Sequence, residues 1–167
     1  IYLSPAHPEV QVHLLDVFSE VIQYYNLDGI HLDYVRYQDS NYDFNLVVRG
    51  KFQKRFGFDP LTLFDGGYEG DEYDFQQKIN EWQNFRNEAI TNLVSQLRNK
   101  IRKQGRKIQL SAAVKPDPHE AMTRFGQDWI EWLQKDYLDF AIPMNYTKDM
   151  LHFNYALQKI RQLELLD

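Results

Sequence analysis

Three short stretches of the chain, around 28–37, 107–114 and 137–146, alternate apolar and polar residues with the two-residue period of a strand. Longer stretches with helical spacing separate them, near 9–25, 73–103, 128–135 and 148–163. Strands separated by helices cannot pair as hairpins. They pair in parallel through crossovers, which predicts an α/β fold with its strand ends gathered along one rim. Ile1-Tyr2-Leu3 reads as the end of a preceding strand, before the turn Ser4-Pro5-Ala6-His7-Pro8. The 167 residues suffice for one sizeable core but fall short of the ~250 of a complete eight-stranded barrel. The whole chain, 1–167, is therefore expected to be one domain or part of one.

The stretch from Asp28 to Tyr37 places Ile30, Leu32 and Tyr34 on one face, suited to packing against helices. Gly29, His31, Asp33 and Val35 fall on the other. In 107–114, Ile108, Leu110, Ala112 and Val114 share a face, and Gln109, Ser111 and Ala113 share the opposite one. In 137–146, Leu138, Phe140, Ile142 and Met144 share one face; Asp139, Ala141, Pro143 and Asn145 share the other. Pro143 would interrupt a central ladder, so it marks where that strand leaves the sheet.

Between 38 and 71 the chain is long and polar, with a short helix predicted near 44–56 and stopped by Gly57. Connections of this length are usually functional or disordered. Gly105 is expected to stop the long helix near 103. Within that helix Arg86 sits on the apolar stripe, which calls for a carboxylate or polar cavity unless its stem packs and its head reaches water. Lys115 to Glu120 reads as a loop at the end of the second strand.

The rim gathers Ser4 and His7, then Asp33 with Arg36, then Lys115 and Asp117, then Asn145 and Tyr146. Two carboxyl groups are the minimum for glycosidic hydrolysis: one protonates the leaving oxygen, the other acts as nucleophile or activates water. Asp33 is the leading candidate. Asp117 is a candidate partner, with Asp39, Asp43 and a group outside this chain as rivals. The bland alternative has Asp33 capping a turn or pairing with Arg36. His31, Arg36, Tyr37, Arg86, Lys115, Asn145 and Tyr146 are candidate substrate-binding or orienting residues. Tyr34, Tyr37, Tyr42 and Trp82 are candidates for stacking on sugars or for core packing.

Other chemistries lack their residues. The sequence has no Cys, which excludes disulfides and thiolate chemistry. It has no Walker loop, no dinucleotide fingerprint, no nucleophile elbow and no zincin spacing. His31 and Asp33 could share a metal on one strand face, but no third ligand is identifiable. Asp65 to Glu72 is acidic and Gly-rich without the spacing of a calcium-binding helix–loop–helix, so it reads as a solvated loop. No metal and no cofactor are expected. The net charge of -5, with both signs mixed, argues against nucleic acid as a partner. No apolar run reaches the ~18 residues of a membrane span. The opening lacks a signal peptide, and residue 1 already lies in mid-pattern.

The segment Asp28-Gly29-Ile30-His31-Leu32-Asp33-Tyr34-Val35-Arg36-Tyr37 resembles the central motif of the glycosyl-hydrolase-like family 10 of bacterial barrel proteins. Ser4-Pro5-Ala6-His7-Pro8-Glu9-Val10, Trp82 to Arg86 followed by Glu88, Gln127-Asp128-Trp129 to Trp132, Asp139-Phe140 and Pro143-Met144-Asn145-Tyr146-Thr147 are similar to further segments of that family. The resemblance implies a (β/α)8 TIM barrel, of which this chain would cover the end of strand three through helix six. It implies glycan cleavage, with Asp33 at the end of strand four, and export to the periplasm, cell surface or exterior. A polysaccharide, of cell-wall or environmental origin, would be the partner. A partial barrel would also have open sheet edges through which copies could associate. The chitinase-like family 18 carries an acidic series on its fourth strand. Here His31 and Val35 replace two of those acids, so substrate-assisted catalysis is not supported. The rival from another class is a carbohydrate-binding barrel without catalysis.

Overall fold

The structure is a computed structural model in which residues 3–163 are described. Ile1 and Tyr2 lie outside the described residues, and Leu3 is exposed and not in a strand. Helix α1 (Pro8–Tyr24) opens on Pro8 and leads into strand β1 (Gly29–Leu32). Helix α2 (Leu46–Phe56) and a short 3₁₀ turn (Pro60–Leu63) precede the long helix α3 (Glu72–Lys103). Strand β2 (Gln109–Val114), helices α4 (Pro118–Phe125) and α5 (Trp129–Gln134), strand β3 (Phe140–Pro143) and helix α6 (Met150–Arg161) complete the order. The strands form one parallel sheet in the order β1-β2-β3. The α/β reading therefore stands, with six α-helices and three parallel strands among the described residues.

Two strands are shorter than the sequence pattern suggests. β1 stops at Leu32 because Tyr34 adopts a left-handed backbone (φ 56), which no ladder accommodates. Tyr34 therefore does not pack on helices; it is 57 % exposed. β3 spans only Phe140–Pro143, and Pro143 is its last residue, where the strand leaves the sheet. Register aligns His31, Ser111 and Phe140 in one row, and Leu32, Ala112 and Ala141 in the next. Residues abreast in a sheet share a face. Leu32 and Ala112 are buried against the helices, so Ala141 faces the helices and Phe140 and Ile142 face away with His31. A two-residue period separates two faces without saying which is inside. The stretch read as a loop after β2 is also helical from Pro118 onward. Asp117 caps it, accepting from the Glu120 amide at 3.0 Å, and Gly126 ends it with a left-handed φ of 70.

Helix α3 ties two apolar clusters together. Its C-terminal half, through Ile90, Leu93, Val94, Leu97 and Ile101, packs with the sheet and with Trp129 and Trp132. Its N-terminal half, through Trp82 and Phe85, packs with Val48 and Phe52 of α2. Phe52 has its ring centroid 5.1 Å from that of Trp82 and 5.3 Å from that of Phe85, both edge-on. The long 38–71 connection is thus a folded excursion. Asn45 caps α2 through the Val48 amide (3.0 Å), and Gly57 ends it with φ 87. Trp82 is 1 % exposed and belongs to this core, so it does not stack on a ligand. Among the described residues no helix is long and apolar enough to cross a membrane.

Candidate active site

The C-terminal ends of β1 and β2 are joined by one fully buried side chain. Gln127 accepts from the Lys115 amide (3.0 Å) and donates to the carbonyls of Ala113 (3.0 Å) and Val35 (3.3 Å). The Phe125 carbonyl adds a bond from the Tyr37 amide at 2.8 Å. The segment after α4 therefore fixes the backbone on both sides of the rim. The sequence pattern did not single out Gln127 as a site residue.

Asp33 is the first residue past β1. It is exposed, and its Oδ1 accepts from the next amide, that of Tyr34, at 2.8 Å. It makes no ion pair with Arg36; the Arg36 Nη1 instead donates to the Tyr37 carbonyl at 3.1 Å. Asp33 lies at the mouth of a cavity of about 820 Å³, with Tyr34, Arg36, Tyr37 and Asp43. The cavity floor is apolar and runs between α1 and α3, over Leu14, Phe18, Leu93 and Leu97. Of the three non-glycine residues with positive φ among the described residues, Tyr34 (φ 56) and Asp43 (φ 82) border this cavity; Asp136 does not. Such backbone persists where the surroundings impose it, and it clusters at functional sites. Five buried side-chain polar atoms lack a partner among the described residues. Three of them, His7 Nδ1, Arg36 Nε and Gln38 Oε1, belong to residues lining the cavity.

A buried polar network holds the loop that follows. Asp43 accepts from the Tyr37 hydroxyl (2.8 Å), the Ala6 amide (3.2 Å), the Asn45 amide side chain (3.1 Å) and the Ser4 hydroxyl. It therefore binds the segment before α1 to the loop after β1. Burial, with the Asp43 carboxylate beside it, holds the Tyr37 phenol well above its ordinary range. The Arg86 guanidinium lies 4.2 Å from the Tyr37 ring centroid and donates to the Asp39 carbonyl at 2.9 Å. Burial lowers its pKa, against the opposing pull of Tyr37 and Asp43. Tyr37 and Arg86 are each 2 % exposed. Both were expected to bind substrate or to orient it or Asp33; Tyr37 lines the cavity, and both are buried among the bonds of this loop. Arg86 also lacks the carboxylate expected for it, because a backbone carbonyl and a ring face serve in its place. Asp39 is taken up by Arg124, at 3.0 Å to each oxygen, which holds its carboxyl far below the usual range.

The remaining rim residues are spread out. Asp117 caps α4 and pairs with Lys159 of α6 at 2.6 Å, which lowers its pKa. It does not line the cavity. His31 sits one row inside the sheet, with Nδ1 2.9 Å from the Ser111 hydroxyl. The Lys115 ammonium lies 4.5 Å from the Phe125 ring centroid, the same ring that the Arg36 guanidinium approaches at 5.3 Å. Asn145 donates to the Phe153 carbonyl at 3.2 Å, and Tyr146 is 91 % exposed. The structure thus brings Asp33, Tyr34, Arg36 and Lys115 to one end of the sheet. Asn145 and Tyr146 stand beyond β3, toward α6. Among the described residues no group of three or more His, Asp or Glu side chains is arranged to hold a metal ion.

Comparison with known proteins agrees with this geometry. The chain is 31% identical over 124 residues to an S-layer-related protein of Niallia circulans, an alignment taking in 68% of this chain and 8% of that protein. The chain therefore spans less than a tenth of that relative. The model of the family described as Glycosyl hydrolase-like 10 matches residues 1–164. With a parallel sheet, helices on one face and a carboxylate at the strand ends, the chain belongs to the glycosyl hydrolase-like 10 family.

Proposed function

We propose that the chain, 1–167 as one unit, supplies the end of strand three through helix six of a (β/α)8 barrel, and that this barrel cleaves O-glycosidic bonds of a polysaccharide. Two features support the barrel. All-parallel sheets are covered on both faces, yet here helices cover one face while His31, Phe140 and Ile142 stand bare on the other, as on a barrel interior. β1 and β3 also have free outer edges among the described residues, where further strands would pair or copies associate. The apolar cavity floor beside β1 suits a strand preceding α1.

The observation that carries the hydrolase reading is Asp33. It is an exposed carboxylate immediately past a strand end, at a cavity mouth, in no ion pair, and next to a left-handed residue. In the proposed reaction one carboxyl gives its proton to the glycosidic oxygen as the anomeric C–O bond breaks. The other, ionised, either attacks the anomeric carbon or takes a proton from the attacking water. Asp117, held ionised by Lys159 at 2.6 Å, is the proposed second carboxyl beside Asp33. His31, Arg36, Lys115, Asn145 and Tyr146 would orient the sugar, with Tyr34 as the exposed stacking ring. Export fits a glycan target, and the relative named S-layer-related is consistent with a surface location. Neither metal nor cofactor is required for this chemistry.

One observation favours the rival, a carbohydrate-binding barrel without catalysis. Asp43, the other carboxylate at the cavity, is saturated by four donors, and Asp117 is engaged by Lys159. Asp33→Asn separates the two. Glycan cleavage would be followed by mass spectrometry, on this chain and on a version extended to eight strands. Loss of product with glycan still bound supports hydrolysis. Glycan bound but never cleaved by the unsubstituted protein supports the rival.

A further inference from the structure

We propose that a subsite for an oxyanion on the glycan, a carboxylate or a phosphate, lies beside the cavity mouth, held by Arg36, which lines the cavity, and by Lys115, which shares the Phe125 ring with it. The inference rests on the reading that this site takes a saccharide. Among the described residues Arg36, Lys115, Arg124 and Lys159 stand near this end of the sheet. Arg124 is bound by Asp39 and Glu120, and Lys159 by Asp117. Among the described residues Arg36 and Lys115 have no carboxylate within ion-pair distance.

Both crowd the same ring. Phe125 is 5 % exposed, with the Lys115 ammonium at 4.5 Å and the Arg36 guanidinium at 5.3 Å from its centroid. The Arg36 guanidinium also lies 4.4 Å from the Tyr34 centroid. The negative faces of the rings offset part of the repulsion between like charges, and they hold the two cations in place. Arg36 spends one nitrogen on the Tyr37 carbonyl, while its buried Nε has no partner. A guanidinium with unused donors matches the paired oxygens of a carboxylate or phosphate. The backbone beneath is fixed, since Gln127 bonds the Lys115 amide and the carbonyl of Val35, the residue before Arg36. Arg36 follows Asp33 by three residues, and both line the cavity mouth. An anion held there lies beside the bond on which Asp33 would act. Neutral glycans would leave both cations unpaired.

Binding of matched oligosaccharides tests this. One pair is an oligogalacturonate and its methyl ester, in which a methyl group replaces the charge of each carboxylate. The other is a 6-phosphorylated mannan oligosaccharide and its dephosphorylated form. We expect at least one charged member to bind about tenfold or more tighter than its neutral counterpart, the scale of one charge-assisted hydrogen bond. That preference should shrink severalfold between about 50 and 300 mM salt. Arg36→Gln and Lys115→Gln should each remove most of it, and Lys115→Arg should retain it. The pair that discriminates identifies the anion as carboxylate or phosphate. Equal binding of charged and neutral members, binding of neither, or a double Gln variant that binds like the parent overturns the proposal. The salt series needs no variant and so stands even where a substitution unfolds the chain. Charge-dependent binding without Asp33-dependent cleavage would overturn the hydrolase reading while leaving the subsite standing.

Discussion

Replacing Gln127 with Met removes the amide that joins the two strand ends while nearly keeping its volume. The Lys115 N–H loses its partner, and the Val35 and Ala113 carbonyls each lose a donor. Gln127 is 0 % exposed, so water does not readily replace these bonds. A buried donor left unsatisfied costs about 1–3 kcal/mol, and a lost neutral bond about 1 kcal/mol. The weaker 3.3 Å contact to Val35 contributes least. The sum is roughly 2–4 kcal/mol, which for a chain of this length lowers Tm by roughly 4–16 °C. Thermal unfolding by circular dichroism measures it. Because the same bonds position the backbone flanking Asp33, glycan turnover should fall by more than the change in folded fraction at the assay temperature. A Tm within about 2 °C of the parent would refute the assignment of Gln127 as the clamp of this rim.

Three further outcomes follow from other parts of the fold. Phe52→Ala empties the centre of the aromatic cluster that anchors the 38–71 excursion, and should destabilise by about 3–5 kcal/mol in urea unfolding. Amide exchange should rise first in α2. Gly126→Ala forces a side chain onto φ 70, with its Cβ 2.8 Å from the Tyr37 ring; a loss of at least about 1 kcal/mol is expected, and an unchanged midpoint would contradict the packing described. Asp39 and Asp117 have folded pKa values below their unfolded ones, so the stability they contribute is present above the ordinary carboxylate range near pH 4 and is lost as pH falls through the folded values. The double variant Asp39→Asn, Asp117→Asn should flatten that acid limb in a series of melts, and an unaltered limb would show that the pairs with Arg124 and Lys159 are too screened to matter.

The strands were legible because their side chains alternate, and α1 and α3 because their apolar stripes repeat at helical spacing. Gly57 and Gly105 announced their helix ends through the left-handed backbone that glycine tolerates. Strand ends were less legible. Nothing in Asp33-Tyr34-Val35 marks the left-handed turn at Tyr34. The two faces of β3 were separated but not oriented, because both carry apolar residues, and only the register with β2 orients them. Helix α4 was hidden by Pro116 and Pro118, although Asp117-Pro118 followed by Gly126 is a cap, first-turn proline and stop signal in sequence. The place of Asp33 just past a strand end was legible from strand position alone. Gln127 was not, since its partners lie 12, 14 and 92 residues away. Arg86 and Tyr37 were noticed, but not the contacts that bury them. Sequence spacing flags a charge on an apolar stripe, yet it cannot show that a carbonyl and a ring face will satisfy it.

The central claim is that Asp33 carries the chemistry. Chemical rescue tests it most directly. Asp33→Ala would be assayed on an aryl glycoside whose sugar comes from a glycan the parent cleaves, with and without added azide. The account expects turnover to collapse in the variant and to return with azide, giving a glycosyl azide detectable by mass spectrometry. Turnover in Asp33→Ala equal to that of the parent, without azide, would contradict it.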